Sequence, residues 1–98
     1  MEKDKEFLSR LSEFYKIFGD MTRLRILYSL KDKERCVNEI SELLDVSQSA
    51  ISHQLKILRL YNLVRYEKKG QMVVYSITDS HVKGILEYGI SHIGELIK

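Results

Sequence analysis

The stretch Val37-Asn38-Glu39-Ile40-Ser41-Glu42-Leu43-Leu44-Asp45-Val46-Ser47-Gln48-Ser49-Ala50-Ile51-Ser52-His53-Gln54-Leu55-Lys56 decides the fold. Its first eight residues read as a short helix with Ile40, Leu43 and Leu44 turned inward. Asp45-Val46-Ser47 then breaks the pattern, and Ser47 is a good N-cap for a second helix with Ile51, Leu55 and Leu58 as its inward stripe. The other face of that second helix is chemically distinct. Gln48, Ser49, Ser52, His53 and Lys56 project from it, most of them in the first turns. Short polar residues of modest helix propensity are a poor choice for mere solubility, which Lys and Glu serve better. Their chemistry suits DNA instead, because Gln reads adenine bidentately while Ser and His donate to bases or phosphates.

Downstream, Leu63-Val64-Arg65-Tyr66-Glu67 and Met72-Val73-Val74-Tyr75-Ser76-Ile77 are β-branched and aromatic runs. They flank Lys68-Lys69-Gly70-Gln71, which reads as a hairpin connection. Upstream, Phe7, Leu8, Leu11, Phe14, Tyr15 and Phe18 recur at helical spacing to about Gly19, and a second helix follows Asp20 with Leu24, Ile26, Leu27 and Leu30 apolar. Asp79 caps a last helix reaching about Leu96. The fold class is therefore mainly α with a β-hairpin. Two helices joined by a tight turn and followed by a hairpin make a winged helix-turn-helix, whose second helix can enter the major groove while the hairpin tip reaches along the backbone.

Charge distribution agrees with that assignment better than net charge does. The whole chain carries only +2, but Ser47 to Gln71 holds Lys56, Arg59, Arg65, Lys68 and Lys69 against the single acid Glu67. That segment sums to +4 and the remainder to −2, a basic middle on a mildly acidic body. The DNA-facing set is thus Ser47, Gln48, Ser49, Ser52, His53 and Lys56 from the helix, with Arg65, Lys68 and Lys69 from the hairpin. Ninety-eight residues, 44% of them hydrophobic, make residues 1–98 one domain with a thin core, and pairing with a second copy is a natural way to bury more surface. One cysteine, Cys36, allows no internal disulfide and fits a reducing cytoplasm. No export-type N-terminus and no apolar run near 18 residues suggests a membrane.

Several of these segments resemble one family. Phe18-Gly19-Asp20-Met21-Thr22-Arg23-Leu24-Arg25-Ile26-Leu27, the Val46–Lys56 segment and the Gln71–Ile77 segment resemble the signature of the ArsR–SmtB family of bacterial metal-responsive repressors, over roughly residues 14 to 97. Met21 departs from the pattern where the family often has proline, a residue that would only pre-set a helix start. The resemblance implies a homodimer formed by the first and last helices and bound to a palindromic operator.

The last helix carries Asp79 and His81 near its start and His92 and Glu95 near its end. At about 100° per residue, His81 and His92 fall within about 20° of each other and Glu95 within about 60° of both. The two histidines are nevertheless about 16 Å apart along the axis, while zinc ligands sit about 2 Å from the metal. One chain cannot close such a site. Two antiparallel copies can, with Asp79 and His81 of one meeting His92 and Glu95 of the other in two symmetric sites per dimer. Two imidazoles and two carboxylates suit zinc, with cobalt or nickel as alternative effectors. Taken alone, the residues leave this reading level with a surface helix bearing two incidental histidines. The spacing also matches the pattern of the family's zinc sensors with a last-helix site. In those sensors the histidine equivalent to His92 passes a hydrogen bond to a backbone carbonyl, which aligns here with that of Asn62.

Cys36 marks a rival site, since other family members carry two cysteines in the third helix. Asn38 stands where the second would be, leaving one thiolate without a partner. Nothing in the chain supplies the open coordination position, pocket and general base of a zinc hydrolase. The expectation is a non-enzymatic, metal-responsive repressor that binds its operator metal-free and leaves it on binding zinc. The alternative is the same DNA-binding fold with a non-functional metal site, responding to another signal or constitutive.

Overall fold

The computed structural model describes residues 1–97. Eight elements follow in chain order: α1 (Glu2–Phe18), α2 (Met21–Ser29), β1 (Arg35–Cys36), α3 (Val37–Leu44), α4 (Gln48–Leu60), β2 (Val64–Lys69), β3 (Met72–Ile77) and α5 (Ser80–Leu96). Each of three helix starts is fixed by a short side chain that takes up an otherwise orphaned backbone N–H. Arg23 N donates to Asp20, Ala50 N to Ser47 Oγ, and both His81 N and Val82 N to Asp79 Oδ1. At the two sharpest connections the chain enters the left-handed region, at Asp45 (φ 56°) after α3 and Asn62 (φ 60°) after α4. Asp and Asn are the non-glycine residues that tolerate this best.

Asp45, Val46 and Ser47 form the tight turn between α3 and α4. Ser41 Oγ donates to Val46 O inside it, and Arg25 reaches from α2 to the Leu44 carbonyl at 2.8 Å. The helix pair is thereby set against α2. Below it lies the core: Ile26 and Leu27 of α2, Ile40 and Leu44 of α3, Ile51, Leu55 and Leu58 of α4, closed by Leu63, Val64, Val82 and Leu86. Leu43 is the exception to the inward set expected for α3, being 57% exposed. From Ile40, Leu44 lies about 40° around the axis and Leu43 about 60° the other way, so an eight-residue helix with one buried edge cannot sink both. Leu55→Ala should therefore cost about 2–5 kcal/mol in denaturant unfolding, while Leu43→Ala should stay within about 0.5 kcal/mol of wild type.

The hairpin is tighter than its sequence suggests. Lys68 and Lys69 lie inside β2, Lys69 pairs with Met72, and only Gly70 and Gln71 form the connection. Gly70 has φ +64° while Gln71 does not have a positive φ, the pattern of a type II′ turn that matches strand twist. A third strand, β1, was not foreseen. Arg35 and Cys36 pair antiparallel with Tyr75 and Val74, giving the sheet order β1-β3-β2. Two residues are too few to show alternation, so that pairing is invisible until β3 is in place.

The terminal helices project from this body. Phe14 and Ile17 pack on the core and Phe18 is buried, but Phe7 (64%), Leu8 (58%) and Tyr15 (53%) are exposed. In α5 only Val82, Ile85 and Leu86 are engaged, whereas Ile93, Leu96 and Ile97 are 52%, 68% and 79% exposed. No described helix is long and apolar enough to cross a membrane.

Candidate nucleic-acid interface and metal centre

The N-terminal turns of α4 and the hairpin present the expected DNA-facing residues at the surface. Ser47, Gln48, Ser49, Ser52, His53 and Lys56 are all exposed, as are Arg65, Lys68 and Lys69. They are not equivalent. Ser47 is occupied as the cap of α4 and lies 3.3 Å from Ser49 Oγ. Gln48 donates through Nε2 to Asn38 Oδ1 at 2.8 Å, a link across the helix-turn-helix. Ser52, His53 and Lys56 have no side-chain partner among the described residues.

The two hairpin lysines separate by strand alternation. Lys69 lies on the face carrying Glu67, pairs with Glu34 at 2.6 Å and Glu67 at 3.7 Å, and its pKa is raised by the hydrogen bond to Glu34. Lys68 lies on the other face with Tyr66, whose ring is covered by the Arg59 guanidinium of α4 at 4.4 Å. Of the two hairpin lysines, Lys68 is thus the one without a side-chain partner among the described residues, and Arg65 is held at Ser76 Oγ, 3.3 Å away. The contact between Arg59 and Tyr66 escaped the sequence reading because a helix end meeting a strand has no spacing to betray it.

At the start of α5, Asp79 divides its two oxygens. Oδ1 caps the helix through His81 N and Val82 N, and Oδ2 lies 3.6 Å from His81 Nδ1. The Val82 N–H, with the His81 ring beside it, holds the Asp79 carboxyl below its ordinary range. Oδ2 and the imidazole are therefore a neighbouring pair of donors, with the His81 side chain 89% exposed. His92 and Glu95 form a second pair one turn apart near the other end, both exposed. Among the described residues of one chain no three such donors come together. Asn62, proposed as the carbonyl partner of His92, is exposed just past α4, and its N–H donates to Arg59 O. Cys36 is a half-buried free thiol whose N–H donates to Glu39, so it serves to start α3.

The sequence pattern of the bacterial regulatory proteins of the arsR family matches residues 20–66, from the α2 cap to the middle of β2. An arsenical resistance operon repressor of Bacillus subtilis is 36% identical over 86 residues, covering 87% of this chain and 82% of the relative. The chain belongs to the ArsR family. A transcriptional repressor SmtB homolog of Synechocystis is 38% identical over 86 residues, 88% of this ArsR chain, though the match spans only 65% of that longer relative. Among solved structures, a homodimeric winged helix-turn-helix DNA-binding domain from Mycobacterium bovis superposes with a TM-score of 0.89 at 22% identity, covering 99% of this chain and 90% of that one. That likeness shows the fold. This ArsR chain is accordingly a winged-helix protein of a family of transcription regulators, not an enzyme.

Proposed function

We propose that this ArsR chain is a repressor that binds a palindromic operator as a metal-free homodimer and is released when zinc binds at two sites shared between subunits. The observation that carries the reading is the placement of two donor pairs, Asp79–His81 and His92–Glu95, at the two ends of α5, a terminal helix whose apolar residues Ile93 and Leu96 are exposed. An antiparallel copy of α5 brings the first pair of one chain to the second pair of the other. The donors fit a tetrahedral ion, and Asp79 keeps one oxygen for it because the other is committed to the helix cap. A bound ion supplies a cross-link between subunits. The chain itself does the rest: α1 and α5 set the angle between subunits, and that angle sets the separation of the two α4 helices. Half-sites about one DNA turn apart tolerate only a narrow range of that separation. The relatives' names, SmtB homolog and arsenical resistance operon repressor, agree with metal response without fixing the metal. The same donors accept cobalt or nickel. The protein acts in the cytoplasm as one domain, residues 1–98.

On the DNA side, Gln48 and Ser52 read base edges, with Ser49, His53 and Lys56 beside them, while Lys68 neutralises phosphate. Gln48→Ala or Ser52→Ala should weaken preference for the cognate operator by about 1–3 kcal/mol. Lys68→Ala should weaken all sequences alike and flatten the salt dependence, and Lys69→Ala should do so less, because Glu34 already neutralises that cation. Equal behaviour of the helix and hairpin sets in a salt-resolved binding titration would show that α4 is not the reading element. The test of the whole reading is a zinc titration of operator binding. Zinc should lower operator affinity, and the operator should lower zinc affinity by the same factor. Tight zinc binding with no change in DNA affinity, or no zinc binding, leaves the alternative of a family member governed by another signal.

A further inference from the structure

Asn38, the second residue of α3, has no place in the DNA-facing set, yet it touches that set directly. Gln48 Nε2 donates to Asn38 Oδ1 at 2.8 Å, and both side chains are otherwise exposed. The backbone under Asn38 is held from two sides. Arg35 and Cys36 are paired into the sheet, and Cys36 N donates to the Glu39 carboxylate at 3.0 Å.

A glutamine amide has two N–H donors and one carbonyl acceptor. With one donor spent on Asn38, Gln48 retains one N–H and its Oε1. In the major groove adenine offers N7 as acceptor and the N6 amino group as donor, the complement of that pair. Guanine offers two acceptors, N7 and O6, and would set Oε1 against O6. Rotating the Gln48 amide to suit guanine would turn its oxygen toward Asn38 Oδ1, so Asn38 would have to rotate as well.

We propose that Asn38 is a specificity-determining positioning residue: it holds the Gln48 amide with the donor and acceptor that adenine completes, and so selects adenine at one position of each half-site. This rests on the reading that Gln48 faces base edges. Asn38 acts through Gln48, and its removal frees a side chain whose rotamers must then be fixed when DNA binds.

The experiment selects bound duplexes from a pool of randomised sequence with the full chain. Wild type, Gln48→Ala, Asn38→Ala, Asn38→Asp and the double alanine variant are compared, with thermal melts confirming that each folds. Wild type should enrich adenine at a position whose preference Gln48→Ala removes. Asn38→Ala should reduce the same preference by about two- to tenfold, the range of a typical net hydrogen bond. The double variant should lose no more than Gln48→Ala alone, because the two residues act as one unit. Asn38→Asp offers only acceptors, so it should keep adenine over guanine while its added charge weakens every sequence alike. A merely structural Asn38 would not give that separation. If Gln48→Ala removes the preference and Asn38→Ala does not, Asn38 is idle and the Gln48 reading stands. Guanine at the Gln48-dependent position overturns the proposed orientation. If Gln48→Ala changes nothing, the reading beneath fails and the role of Asn38 with it.

Discussion

Leu11→Asp in α1 or Ile93→Asp in α5 should convert the protein to a folded monomer and weaken operator binding by about 10²–10⁴, the usual loss when two linked sites become one. The folded chain exposes 7314 Å², about 1,500 Å² more than the roughly 5,800 Å² of a compact monomer of its mass. Its radius of gyration is 14.7 Å, against about 12.5 Å for a compact chain of this length. The excess lies on the terminal helices. Phe7 and Leu11 continue the stripe of Phe14 and Phe18 beyond the body, and Ile90, Ile93 and Ile97 border an apolar trough of about 610 Å³ against Phe18, Leu24 and Tyr28. A standard interface buries about 800 Å² per partner, so an excess of this size is more than enough surface to form one. A carboxylate placed there meets an apolar partner surface, whereas in the monomer both positions remain partly open to water, so the isolated domain should stay folded. Sedimentation at micromolar concentration reads the outcome directly. A wild-type chain that is already a stable monomer would remove both the dimer and the shared metal site.

The winged helix was legible in the sequence because its parts are local. Ser47 as cap, the Ile51-Leu55-Leu58 stripe and the two β-branched runs each declare themselves within a dozen residues, and the structure places them as read except that β2 runs from Val64 to Lys69 and takes both lysines from the connection. What escaped depends on residues far apart in the chain. β1 exists only because β3 offers an edge to Arg35 and Cys36. Lys69 is paired with Glu34, 35 residues earlier, so two adjacent lysines of equal standing in the sequence are unequal in the fold. Leu43 was misplaced because helical periodicity names a stripe without giving its width. At the candidate metal centre, the sequence supplied the residue types and their angular positions. Asp79 was legible both as cap and as candidate ligand; the structure adds how its oxygens divide, Oδ1 on the cap and Oδ2 beside the His81 ring, which no spacing rule distinguishes.

The proposed shared metal site makes a prediction that no single-chain site can imitate. His81→Ala or His92→Ala alone should abolish tight zinc binding and leave a repressor that stays on its operator, because each removes one ligand from both symmetric sites. In a mixed dimer of the two variants, one site lacks both histidines. The other is intact, built from Asp79 and His81 of the His92→Ala chain and His92 and Glu95 of the His81→Ala chain. Zinc titration of separately tagged, co-purified mixed dimers should therefore recover one tight site per dimer where either homodimer has none. Recovery follows from geometry: the two donor pairs lie at opposite ends of a helix about 16 Å apart, and only an antiparallel copy brings unlike pairs together. Imidazoles must be unprotonated to ligate, so affinity at the recovered site should fall as pH is lowered and rise again when it is restored. Cys36→Ser should leave all of this unchanged, since one half-buried thiol beside Glu39 has no second soft donor. A mixed dimer that binds no zinc, or loss of the response through Cys36→Ser alone, would move the sensor away from α5. The recognition helix and hairpin would stand, because they are built from other residues.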